Sequence, residues 1–149
     1  MSAAPESLLF VYGTLRRAVG APAFALFAEH AALFDKGHVQ ARMYDFGAYP
    51  GVVLSEQAAD KVYGEVYALH TPTPTLALLD RYEGVAGTRD NEVALYERHR
   101  RPVATRRHGR LVAWIYVYVG ALDGRPRIGS GDYLEHLRRH PAIRPPDLV

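Results

Sequence analysis

At 149 residues, with 48% hydrophobic and 23% charged side chains, the chain has the size and apolar content of one globular domain. It is long enough to bury roughly two-thirds of its unfolded surface and too apolar for a disordered chain. The absence of cysteine excludes disulfides, thiolate nucleophiles and zinc-thiolate sites. The net charge is only +2, yet sixteen of the eighteen basic residues are arginine, Lys36 and Lys61 being the exceptions.

Met1 to Ser7 lacks a basic stretch followed by an apolar run, and no segment approaches the ~20 apolar residues of a membrane span. The expectation is a cytoplasmic protein with no membrane partner. Leu8 to Tyr12 is a β-prone apolar run that stops at Gly13, the pattern of a buried first strand ending in a tight turn. Ala21 to His30 has the composition of a short helix. Strands are expected on both sides of a turn at Gly47 to Gly51, the second containing Val52 to Leu54.

From Lys61 to Leu69, Val62, Gly64, Val66 and Ala68 alternate with Tyr63, Glu65, Tyr67 and Leu69, which predicts a strand with one aromatic-rich face. Thr73 and Pro74 read as the cap and first-turn proline of a helix carrying Leu76, Leu79 and Tyr82 and ending before Gly84. Two more strands, Val93 to Arg107 and Leu111 to Val119, flank a turn at His108 and Gly109. A last helix is expected to be capped by Ser130 and stopped by Pro141, ahead of a proline-rich tail. These elements predict an α+β fold, a small mixed barrel of about six strands with flanking helices, as a single domain whose core runs from about 8 to 140.

The arginines between Arg98 and Arg110 could be a nucleic-acid footprint, but no aromatic residues interleave with them as stacking platforms. They read as a solvated hairpin, and no nucleic-acid partner is expected. His136 and His140 share a helix face without the glutamate of a metalloprotease helix, so no metal is assigned. Gly129-Ser130-Gly131 lacks the residues of a nucleophile elbow, and there is no nucleotide-binding glycine motif.

What remains is the strand-end turn Tyr12-Gly13-Thr14-Leu15-Arg16, where successive amides can face an anion. Beside it stand, in order, Tyr49-Pro50-Gly51, Val62-Tyr63-Gly64-Glu65-Val66-Tyr67, Leu79-Asp80-Arg81-Tyr82-Glu83-Gly84, Tyr96-x-Arg98 and Ser130-Gly131-Asp132-Tyr133. Together these segments resemble the γ-glutamylcyclotransferase-like (AIG2-like) family over roughly Leu8 to Leu137. The resemblance implies a small mixed barrel that needs no cofactor. It also implies an enzyme expelling an amine from a small γ-glutamyl substrate by cyclising the glutamyl unit to 5-oxoproline.

Carried onto this chain, the resemblance implies Tyr12, Gly13, Thr14 and Leu15 as the substrate-holding loop, with Arg16 and Tyr96 as further substrate-binding residues. Glu83 becomes the general base and acid. The interval between Gly84 and Tyr96 is that of longer-loop members, and the leaving amine stays open. A non-catalytic module binding a small carboxylate or a peptide end through the same pocket is the other reading. Monomer and homodimer are both compatible with the sequence.

The chemistry is undemanding, because the substrate brings its own nucleophile, the α-amine. A glutamate at its ordinary pKa of ~4.3 would deprotonate an ammonium near ~7.7 at a cost of about 4.6 kcal/mol; raised to ~6.5 by burial, it would do so for about 1.6 kcal/mol. Glu83 is therefore expected in a partly apolar pocket lined by some of Tyr12, Tyr63, Tyr67, Tyr96, Tyr116 and Tyr118. The turn amides could bind either the substrate carboxylate or the developing oxyanion.

Overall fold

In the computed structural model, residues 8–13, 15–16, 27–47, 49–83 and 95–140 are described, apart from the side chains of Tyr82 and Glu83. Strands β1 (Leu8–Val11), β2 (Ala31–Val39), β3 (Ala41–Asp45), β4 (Pro50–Leu54) and β5 (Val62–Leu69) precede helix α1 (Pro72–Glu83). Strands β6 (Tyr96–Thr105) and β7 (Arg110–Tyr118) and helix α2 (Tyr133–Arg139) follow. The expected helix at Ala21 to His30 lies outside the described residues, except that Phe27 and Ala28 are helical.

Five strands close a barrel in the order β1-β5-β2-β6-β7. Its ladders are antiparallel except where β1 meets β7 in parallel, Leu9 opposite Trp114. The barrel is thus mixed, as the sequence predicts. The strand count differs: β3 and β4 form a separate hairpin. Its Ala41, Met43 and Val52 pack into the barrel core.

Period-2 alternation sorts each wall strand into two faces. Leu8, Phe10, Val39, Val62, Val66, Val103, Ala113, Ile115 and Val117, drawn from all five barrel strands, form the inner core. Leu9, Val11, Tyr67, Leu69, Tyr116 and Tyr118 face outward and are covered by Leu76 and Leu79 of α1, by Leu15 and by Phe27. Burying each of those leucines contributes about 1.5–3 kcal/mol to holding α1 on the wall. The alternation expected for β5 is the one observed.

Two helix starts differ from the sequence expectation. Helix α1 begins at Pro72, and the Thr71 carbonyl accepts the first i+4 bond, from Thr75 N at 3.2 Å. Pro72, not Pro74, occupies the first helical position, where a missing N–H costs nothing. Helix α2 is capped by Asp132, whose carboxylate accepts from Leu134 N at 3.0 Å, and not by Ser130. Gly131 between them has φ +67°, and a Cβ there would strike the Lys61 carbonyl, so the chain reverses and only Asp132 is left extended beside the free amides.

The solvated hairpin expected at Arg98 to Arg110 is the β6–β7 ladder of the barrel wall, its arginines exposed or half-exposed. Arg98 lies 4.3 Å from the Trp114 ring centroid and Arg100 5.6 Å, so part of its charge is packed on an aromatic face. No helix among the described residues is long and apolar enough to cross a membrane.

Candidate active site

The tyrosines of the outer layer carry hydroxyls that need partners once buried, and those of Tyr116 and Tyr96 tie one element to another. Tyr116 donates to Asp80 Oδ1 of α1 at 2.7 Å. Arg98 of β6 grips the same carboxylate in a fork, Nε to Oδ1 at 2.8 Å and Nη2 to Oδ2 at 3.2 Å. Such charge-assisted, bidentate contacts are among the strongest a side chain makes. They fix the last turn of α1 against β6 and β7.

Glu83, the acid assigned from the resemblance, is the final residue of that turn. Asp80 stands three residues before it, a spacing that places two side chains on adjoining parts of one helix surface. The Glu83 side chain itself lies outside the described residues, as does Thr14 of the turn. The remaining turn residues, Tyr12, Gly13, Leu15 and Arg16, are all buried.

Tyr12 joins the turn to the same network by donating to the Tyr116 carbonyl at 2.7 Å. Gly13 is where the hairpin closes in: a Cβ there would meet Pro50 Cγ at 2.6 Å. The Pro50 carbonyl in turn accepts from Tyr96 at 3.2 Å. The Tyr49-Pro50-Gly51 segment is therefore a wedge between the turn and Tyr96, which explains why a glycine and a proline stand at these positions. Tyr63 stands apart from this cluster, 40% exposed and tilted on His38.

The turn is closed by a hydrogen bond from Arg16 N to the Gly13 carbonyl at 2.9 Å. The Arg16 side chain is buried between two carboxylates, with Nη1 2.8 Å from Asp132 Oδ1 and Nε 3.5 Å from Glu65 Oε2. Glu65 also accepts from Tyr67 at 2.9 Å. One guanidinium between two acids makes removal of Arg16 costly, because two carboxylates would be left without their cation. Asp132 thus caps α2 and clasps the turn with the same oxygen.

Three of these participants escape a reading of local patterns. Glu65 and Asp132 are separated from Arg16 by long stretches of chain, and only their presence in the ordered motifs marks them. Asp80 carries a fainter signal, its i, i+3 spacing from Glu83. His136 is engaged by Asp45, Nε2 to Oδ2 at 2.9 Å. His140 leans on its ring with centroids 4.5 Å apart.

Comparison with known proteins shows the family and the fold. The family model described as γ-glutamyl cyclotransferase, AIG2-like, matches residues 9–135. The γ-glutamylcyclotransferase family protein YtfP of Escherichia coli K12 is 35% identical over 127 residues, 85% of this chain and 96% of that one. Among solved structures, YkqA of Bacillus subtilis superposes with a TM-score of 0.69 at 26% identity, covering 91% of this chain. The chain spans only 42% of YkqA's length. An AIG2-like protein of Mus musculus shares the fold, with a TM-score of 0.68 at 19% identity over 95% of this chain and 96% of that one. The chain belongs to the γ-glutamylcyclotransferase, AIG2-like, family.

Proposed function

We propose that the protein is a cyclotransferase that converts a γ-glutamyl amide or amine to 5-oxoproline and a free amine, with Glu83 as base and then acid. The observation that carries this is the bonded path from α1 to the turn. Asp80, one helical turn before Glu83, is held by Tyr116, and Tyr116 also receives Tyr12, the first residue of the turn. The acid-bearing helix end and the anchor loop are parts of one rigid assembly, as proximity catalysis requires.

In this mechanism the turn holds the glutamyl unit folded while Glu83 takes a proton from the α-ammonium. The amine nitrogen then attacks the γ-carbonyl carbon and closes a five-membered ring. Turn amides stabilise the resulting oxyanion or hold the α-carboxylate. Collapse breaks the bond to the leaving nitrogen, which receives the proton from Glu83; the second proton shed by the ring nitrogen passes the same way, and the amine departs as an ammonium. Atoms balance without water or a cofactor.

The test is product formation across a panel of γ-glutamyl amino acids and amines, read as 5-oxoproline plus amine. Glu83→Gln is expected to lower kcat about a thousandfold with an unchanged melting temperature. Undiminished turnover in that variant would overturn the mechanism. Saturable binding of γ-glutamyl compounds by the wild type without product would show a binding module instead.

A further inference from the structure

Arg16 also forms a wall of a second cleft, of about 280 Å³, lined in addition by Lys36, His38, Tyr63, Thr105 and Arg106. The cleft exists because β2 and β6 pair only through Gly37 with Thr105 and His38 with Ala104. Beside that short seam Gly37 stands opposite Gly64 in the β2–β5 ladder, where a Cβ on Gly37 would strike the Ala104 carbonyl and one on Gly64 the Val11 carbonyl. Its volume is near the lower end of small-ligand pockets, roughly 300–1,000 Å³.

Some of the donors around it make no hydrogen bond among the described residues. Nη1 is the one guanidinium nitrogen of Arg16 with a hydrogen bond among the described residues. Nε is buried without a hydrogen bond and is ion-paired with Glu65 Oε2 at 3.5 Å. Arg16 is only 7% exposed, and a buried guanidinium with idle donors calls for an explanation. Lys36 and Arg106 are exposed and form no ion pair among the described residues.

A neighbouring cleft of about 600 Å³ shares His38, Ala104 and Thr105 and adds Lys61, Arg101 and Arg110. The two clefts together carry six cationic side chains against Asp60 and Asp132, on a chain whose net charge is only +2. Both acids are already engaged, Asp60 by Arg42 and Arg127 and Asp132 by Arg16. Positive potential is therefore concentrated along this seam.

We propose that the smaller cleft binds a small multivalent oxyanion, a phosphate ester or a polycarboxylate, with Lys36 and Arg106 as point charges at its rim and the Arg16 guanidinium, shared with Asp132 and Glu65, in its wall. Tyr63, beside them, offers a further hydroxyl donor. Because the Arg16 amide also closes the Tyr12–Arg16 turn, occupancy of this cleft is linked to the loop that holds the glutamyl unit in the proposed reaction. The binding site itself does not depend on that reaction.

Isotope-labelled protein titrated in low salt with inorganic pyrophosphate and, separately, with citrate tests it. The expected result is saturable shifts of the Gly37, His38, Tyr63, Gly64 and Arg106 amides, with binding weakened at least tenfold in a Lys36→Ala/Arg106→Ala double variant of unchanged melting temperature. Tighter binding of pyrophosphate assigns phosphate chemistry, and tighter binding of citrate assigns polycarboxylates. The proposal is overturned if neither probe gives saturable shifts by on the order of 10 mM. It is equally overturned if the double variant binds like the wild type, which would leave only diffuse attraction to the arginine-rich surface.

Discussion

The two faces of the barrel wall differ in kind. The inner face is aliphatic and aromatic carbon, Leu8, Phe10, Val66, Ile115 and their neighbours, packed without regard to direction. The outer face under α1 is built from Tyr67, Tyr96, Tyr116 and Tyr118, and each hydroxyl has a specific acceptor: Glu65, the Pro50 carbonyl, Asp80 and the Ala121 carbonyl. Apolar burial is non-directional and supplies stability, whereas hydrogen bonds between rings and acids dictate where a helix end or a turn must sit. One layer holds the barrel together; the other positions chemistry on it.

That division can be broken from either side. The largest expected effect is Phe10→Ala, which should cost about 3–5 kcal/mol in urea unfolding while leaving kcat per folded molecule unchanged. A variant that lost turnover before stability would erase the distinction. Asp80→Asn should do the reverse: a roughly tenfold fall in kcat with KM little altered, because the last turn of α1 is no longer gripped by Arg98. It should also cost about 2 kcal/mol for the charge left without its partner. A raised KM with kcat unchanged would mean that Asp80 serves binding and not the placement of Glu83.

The smallest effect concerns the middle of β2. Burial pushes the Asp35 carboxyl up, but hydrogen bonds from His108 and from the amides of Arg107 and Lys36 overcome it and hold the group well below the usual carboxylate range. A carboxyl depressed in the folded state stabilises at pH values above its unfolded pKa, about 4, and loses that contribution as the pH falls below it. Asp35→Asn should therefore cost about 1 kcal/mol at pH 7. It should also flatten the decline of stability between pH 5 and 2, as measured by chemical unfolding at several pH values.

The wall strands and the outer aromatic face were legible because a period of two in β5 is a local property of the chain. The order of strands was not, since nothing in Ala41 to Leu54 says that its hairpin leaves the barrel sheet. Helix starts were misplaced by two residues wherever two capping candidates stood close together, as at Thr71 and Thr73 or Ser130 and Asp132; backbone reversal at Gly131 decided the second case. The turn at Tyr12 could be seen, but its clasp could not. Arg16 presents itself in the sequence as a free cation at the end of an anion-binding loop, and only the fold brings Glu65 and Asp132 to it.

That clasp joins residues 116 positions apart, as the parallel pairing of Leu9 with Trp114 joins the first strand to the last. Contacts so distant along the chain form late, after the loop between them has been closed. During synthesis the Tyr12–Arg16 turn emerges early, yet the acid that clasps its arginine arrives only when α2 leaves the ribosome. A nascent or truncated chain can assemble much of the wall, but it cannot set the loop.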